Sequence, residues 1–214
     1  MIYSPNHNFL LIKNLKVGGT SLEIDLEKTL PENAIVTPQE PSPPENYIPR
    51  NYRKHGFSSH SSFNLFKQQL DKVNTKNLRS AIFVRNPLDT VLSHFFMAIK
   101  FQNIDVKDYK TYVDAYFNDR ISTKFLKSTR SLFVDNDYSN NVQVSDVLLY
   151  ENGIENQINP ILREVGIKEI KLTSNEKSWR PKELAPNDVF NKKQIDMIKK
   201  EWRWEIKTFY PELE

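Results

Sequence analysis

Residues 9–26 read FLLIKNLKVGGTSLEIDL. A short apolar run, Phe9 to Asn14, gives way to the glycine pair Gly18 and Gly19, and Leu22, Ile24, Leu26 and Leu30 follow. That order reads as strand, tight loop, helix. A glycine has no Cβ, so its backbone can come close to an anion. The N–H groups at the start of the helix then point at that anion, and the helix dipole supports them. Lys16 adds a mobile positive charge, while Thr20 and Ser21 add hydroxyl donors. The loop is thus a candidate phosphate cradle, and an ordinary strand-to-helix turn with a solvated lysine fits the same residues.

A second junction of this kind occupies residues 80–96, SAIFVRNPLDTVLSHFF. Ser80 to Val84 suits a buried parallel strand. Asn86 can cap a helix whose first turn carries Pro87, and Leu88, Val91, Leu92, Phe95 and Phe96 form its inner face. An arginine at the C-terminal end of a parallel strand faces the crevice where α/β ligands sit, and Arg85 is so placed. Its guanidinium can hold a phosphate through two parallel hydrogen bonds. Ser93 lies roughly 9 Å along the axis from Pro87, within reach of the same phosphate. A capped helix with a surface arginine is the plainer alternative.

The rest of the chain extends the alternation. Ser62 to Lys72 has helical spacing, Val147 to Tyr150 reads as a strand, and Ile154 to Val165 as a helix ended by Gly166. Asn191 to Phe209 reads as one long amphipathic helix. Residues Thr37 to Arg53 hold five of the 12 prolines and read as an exposed loop. Residues 101 to 131 are polar and aromatic, helical in part. The expected fold is α/β: a single domain over residues 1–214, three-layered and P-loop-like, with a mainly parallel central sheet flanked by helices.

Composition narrows the function. Among 214 residues there is no cysteine, which excludes disulfides, thiolate metal sites and a cysteine nucleophile. The four histidines, His7, His55, His60 and His94, lack the spacing of a zinc site. A net charge of +3 and a pI of about 8.9 suit an anionic ligand and are too small to indicate nucleic acid. No stretch approaches the roughly 20 apolar residues of a membrane span. The first residues lack the ordered regions of a signal peptide, so a cytoplasmic protein is expected.

Two nucleotide folds compete for these motifs. A P-loop kinase carries GxxxxGK[ST], with lysine after the last glycine; here Lys16 precedes the glycines. A dinucleotide fold needs GxGxxG, which is absent. The residues instead resemble PAPS-dependent sulfotransferases. KVGGTS (16–21) is similar to their 5′-phosphosulfate loop, whose forms include KTAGTS and KTGGTS. FVRNPLDTVLSHFF (83–96) is similar to their 3′-phosphate motif, RNPxDxxxSxY/F. The resemblance is to the carbohydrate type, including heparan sulfate 2-O-sulfotransferase-like and bacterial members. It continues through SLFVDN (131–136), VSDVLLYENGIENQINPILREVGI (144–167) and NEKSWRP (175–181). Val17, in place of a small or hydroxyl residue, and the Tyr150-Glu-Asn-Gly version of a phenylalanine motif depart from the pattern. Residues 37–54 and 101–130 match no motif.

The resemblance implies a set of roles. Lys16 and the Gly18, Gly19, Thr20, Ser21 loop hold the 5′ end of PAPS, and Arg85 with Ser93 holds its 3′-phosphate. Arg180 covers the cofactor, and Lys16 also stabilises the leaving phosphate. His60, in HGFSSHSS just before a helix, is the expected general base, with His55 in reserve. PAP is the product, and no metal is required. The partner is a hydroxyl-bearing acceptor, a glycan or small molecule, with Tyr47, Arg50, Tyr52 and Arg53 as a candidate acceptor rim. His94 packs against the adenine or the core, Glu151 at a strand end is a second acid/base group or a structural acceptor, and Trp179, Trp202 and Trp204 divide between sugar stacking and core. Two other functions stay open: a P-loop kinase of a small metabolite, and a nucleotide-binding module without catalysis.

Overall fold

A computed structural model describes residues 1–39, 47–70, 73, 77–118, 126–134, 141–173 and 180–214. These form two compact units, residues 1–84 with 131–176 and residues 85–130 with 177–214.

The first unit is built on a five-stranded sheet. Its strands are β1 (Ile2–Ser4), β2 (Phe9–Ile12), β3 (Ile35–Val36), β4 (Arg79–Val84) and β5 (Asp146–Leu149), in the order β3-β1-β2-β4-β5. β2, β4 and β5 run parallel, with Leu11 opposite Ala81 and Ile82 opposite Val147. β1 is antiparallel to both β2 and β3. The sheet is therefore mixed, which corrects the mainly parallel sheet expected from sequence. The reason lies in the first eight residues. A 3-10 turn at Pro5–His7, closed by Asn8 in the left-handed region (φ 46), folds Ile2–Ser4 back on β2 as a hairpin. Three-residue and two-residue strands carry too little periodicity to be read.

Every residue of β2 is buried, as the unbroken FLLI run requires of a strand covered on both faces. Leu11, Ala81 and Phe83 share a core with α1 (Gly19–Glu27) and with α5 (Ile154–Glu164), through Leu22, Leu26, Ile158 and Leu162. α2 (Phe63–Gln69) sets Phe66 against Tyr3 of β1, edge to face at 4.9 Å. Gly166, at φ 79, ends α5: the Ile167 N–H donates to the Leu162 carbonyl at 2.8 Å.

The second unit is helical: α3 (Pro87–Phe101), α4 (Tyr109–Asn118), α6 (Pro186–Val189), α7 (Lys192–Glu201) and α8 (Arg203–Phe209). Phe95 lies at its centre, with Phe96, Tyr116 and Phe190 edge-on around it. The single C-terminal helix read from sequence is two. The chain leaves helical geometry at Trp202 (φ −101, ψ 23), whose buried indole N–H donates to the Leu126 carbonyl at 2.6 Å. Apolar spacing continues across the break, so the pattern does not reveal it.

Candidate functional site

The turn after β2 forms as its glycines require. The Asn14 amide donates to the Phe83 carbonyl of β4 at 3.0 Å, and its oxygen accepts the Leu15 N–H at 2.7 Å, which fixes the exit of the strand. Lys16 follows with φ 58 and Gly18 with φ 68, and α1 starts at Gly19. A Cβ at Gly18 would lie 2.9 Å from Ile154 Cδ1, and one at Gly19 would lie 3.1 Å from Lys13 Cγ. Gly18 is thus required by the protein's own backbone geometry, while a side chain at Gly19 would need Lys13 to give by a few tenths of an ångström. Val17 is buried and pins the turn to the core. The first helical bond runs from the Leu22 N–H to the Gly18 carbonyl at 3.1 Å, so the N–H groups ahead of it head the helix. A narrow crevice beside the turn is walled by Leu11, Val17, Gly19, Leu22, Glu23 and Phe83.

Behind this turn lies a charged network that the sequence reading missed. The Lys13 ammonium donates to Glu23 Oε2 at 2.7 Å, to Gln39 Oε1, and to Thr20 Oγ1 at 3.4 Å. Glu23 Oε1 accepts from the Met1 amine at 2.5 Å. Burial by itself would raise the Glu23 pKa, but the Met1 amine and the Lys13 ammonium outweigh it and hold the carboxyl below its ordinary value. The one available signal was a lysine closing an apolar strand and a glutamate among the apolar positions of α1. Thr20 gives its hydroxyl hydrogen to Gln39 Oε1 at 3.1 Å, and Ser21 is buried.

His60 is held just before α2, as the sequence indicated. A turn over Ser58–Ser61 closes through Ser61 N–H to the Ser58 carbonyl (3.2 Å) and Ser58 N–H to Ser61 Oγ (2.9 Å). Ser62 then caps α2, accepting the Leu65 N–H at 3.2 Å. His60 Nδ1 lies 3.0 Å from the Lys13 carbonyl oxygen. A carbonyl only accepts, so Nδ1 carries the hydrogen and the neutral ring keeps its lone pair on Nε2. The imidazole pKa is pushed down to about 4, first by desolvation, then by Lys13 and the Met1 amine, against the Lys13 carbonyl bond and Glu23. The residue as a whole is exposed, and the surroundings of its ring favour the neutral form. His55, the reserve base, is half-buried with its ring 5.8 Å from that of Phe57.

Among the described residues after β3, Ile48 and Arg53 are exposed as expected of a loop, while others are not. Thr37, Gln39 and Tyr47 are buried, and the Tyr47 hydroxyl donates to the Thr37 carbonyl at 2.7 Å. Arg50 pairs with Glu27 at 2.5 Å and donates to the carbonyls of Glu27, Leu30 and Pro31 at 3.2–3.4 Å. It closes the end of α1, so Tyr47 and Arg50 leave the candidate acceptor rim. Arg53 remains exposed, with its guanidinium over the Tyr52 ring at 5.7 Å.

In the second unit, Asn86 caps α3 as expected, accepting the Leu88 N–H at 2.9 Å and the Asp89 N–H at 3.4 Å. Arg85 and Ser93 are both half-buried. Arg180 is drawn to the same helix start: it pairs with Asp89 and donates to the Leu184 carbonyl through Nε at 3.2 Å and Nη2 at 2.7 Å. Its guanidinium is committed to protein partners, which makes it a brace for the RNPLD segment. His94 is a core residue, with Nδ1 2.8 Å from the Tyr116 hydroxyl. Trp202 is core, Trp204 lies beneath Arg130 at 5.4 Å, and Trp179 is outside the described residues. Glu151 is exposed in the 3-10 turn that follows β5.

Lys16, Gly18, Gly19, Thr20, Ser21 and His60 thus belong to the first unit, and Arg85, Ser93 and Arg180 to the second. Among the described residues, no group of three or more His, Cys, Asp or Glu is arranged to hold a metal ion, and no helix is long and apolar enough to cross a membrane. No family model, curated protein or solved structure matches the chain.

Proposed function

We propose that the chain is a sulfotransferase that moves the sulfuryl group of PAPS to a hydroxyl of a carbohydrate acceptor, in the cytoplasm and on a P-loop-like three-layer scaffold. One observation carries the reading: the glycine turn and the His60 imidazole share an anchor. The Lys13 carbonyl bonds His60 Nδ1 at 3.0 Å while the Lys13 ammonium reaches Thr20 in the turn. An anion-binding helix start and a base with Nε2 bare are what in-line group transfer needs side by side.

On this reading the N–H groups heading α1 and the Lys16 ammonium take the 5′-phosphosulfate, and Arg85 with Ser93 takes the 3′-phosphate, a group ATP lacks. The acceptor oxygen attacks sulfur in line while its proton passes to His60 Nε2. The bond from sulfur to the 5′-phosphate oxygen breaks, and its electron pair stays on the phosphate, where Lys16 offsets the charge. A base so positioned contributes about 10²–10⁴-fold. Fixed cations serve the donor, so the proposal includes no metal.

A thermal-shift titration tests it. PAP without magnesium should stabilise the protein, by about 2.7 kcal/mol at a hundredfold excess over the dissociation constant. Arg85→Ala should weaken PAP binding by about 1.5–3 kcal/mol, the range for hydrogen bonds to charged groups. Stabilisation by Mg-ATP alone would overturn the reading in favour of a kinase, and an unchanged dissociation constant in the variant would count against the role given to Arg85.

A further inference from the structure

Lys13 is the residue at which three parts of the first unit meet. It closes β2, its carbonyl holds the His60 ring of the turn before α2, and its ammonium lies against Glu23 of α1 and Gln39. Only 8% of Lys13 is exposed and none of Glu23. A buried ammonium persists only with a carboxylate partner and further acceptors around it, and Lys13 has Glu23 as partner with Gln39 and Thr20 as acceptors. Three ionisable groups act on the ring: the Lys13 ammonium, the Met1 amine ahead of β1, and the Glu23 carboxylate of α1. The Lys13 ammonium opposes formation of an imidazolium, as does the Met1 amine below about pH 6, to which burial lowers its pKa, and the carboxylate favours it.

We propose that Lys13, locked by Glu23, is a positioning residue for His60. Its carbonyl keeps the proton on Nδ1, its ammonium adds to the desolvation that opposes a second proton on the ring, and Nε2 is thereby the atom that receives the acceptor's proton. Only the last clause rests on the sulfotransferase reading. In the reaction, the acceptor O–H bond breaks as its oxygen bonds to sulfur, and the proton moves to Nε2. The imidazolium so formed stands near an ammonium, which speeds return of the proton to water at this exposed residue. Glu23 limits the opposing field by partly neutralising Lys13, so the pair tunes the base in both directions.

The test is a ring-nitrogen NMR titration of the labelled full chain without ligand, with the His60 signals identified by their loss in His60→Gln. In the wild type, the neutral ring should carry hydrogen on Nδ1 and titrate below an ordinary histidine. Lys13→Met keeps the carbonyl but removes the charge, and should lower the ring's acid dissociation constant about tenfold. Glu23→Gln should raise it. A wild-type ring with hydrogen on Nε2, or two variants that leave the midpoint unmoved or move it the same way, would overturn the proposal. Should a charge-removing variant fail to fold, the wild-type tautomer decides. Once a substrate is in hand, the acid limb of the kcat profile should follow the ring midpoint in Lys13→Met. Wild-type protein that shows the Nδ1 tautomer yet binds no PAP would sink the sulfotransferase reading and leave the Lys13 assignment standing.

Discussion

At the scale of single residues, Gly18 has two reasons to be glycine, and they can be separated. Its φ of 68 is costly for any residue with a Cβ, about 1–2 kcal/mol, and the Cβ itself would press on Ile154 Cδ1 at 2.9 Å. Gly18→Ala should therefore lower stability by at least about 1 kcal/mol in urea unfolding without any ligand. Adding Ile154→Val, which removes Cδ1, should relieve the contact and leave the backbone penalty. Full recovery in the double variant would show that the backbone geometry is not under strain. The glycine pair was legible in sequence as a turn before a helix. Its packing against α5 was not, because Ile154 is 136 positions away. Lys13 and Glu23 were missed for a related reason: a charged residue in an apolar pattern reads as a solvated exception until its partners are seen. Here each is the other's partner.

Elements show the same division between what neighbours in sequence reveal and what distant residues decide. The starts of α2 and α3 were readable because their caps, Ser62 and Asn86, lie within three residues of the N–H groups they accept. The end of α1 was not, because its cap is Arg50. The Glu23, Asp25 and Glu27 side chains of this helix are buried, and each has a partner: Lys13 and Met1, Lys28 and Thr173, and Arg50. Arg50 looked like a ligand group because a proline-rich segment with arginines and tyrosines resembles a binding loop. Arg50→Met leaves the buried Glu27 carboxylate and three carbonyls short of a donor, and should destabilise the protein by about 3–5 kcal/mol. A change of under 1 kcal/mol in urea unfolding would return Arg50 to the surface role read from sequence. The mixed sheet follows the same rule: β4 was evident from its apolar run, whereas β1 and β3 are strands by virtue of their pairing.

For the molecule as a whole, pH is the variable through which the buried groups act together. The unfolded histidine titrates near about 6.5, and His60 in the fold near about 4. Above the unfolded value this residue contributes no difference; as pH falls from there toward 4, the unfolded chain binds the proton first and stability declines. Glu23 and Asp25, both held below the ordinary carboxyl range, act in a lower window. Their stabilisation is complete above about pH 4 and is lost as pH falls through their folded values. Asp146 and Glu205, raised by burial, act in the opposite sense. The urea midpoint of His60→Gln should consequently fall less than that of the wild type between pH 7 and 5. Equal slopes would mean that the ring is as well solvated in the fold as in the unfolded chain.

The strand order has a kinetic consequence. β1 and β2 pair across a four-residue turn, but Phe9 finds Arg79 and Ala81 finds Asp146 only after long loops close. Such distant pairing slows folding toward the millisecond-to-second range. During synthesis the hairpin can form early, yet β5 cannot dock beside β4 until residues 85–145 have been made. A nascent chain halted in that stretch would present the β4 edge without its neighbour, the stage at which a chaperone would be most needed.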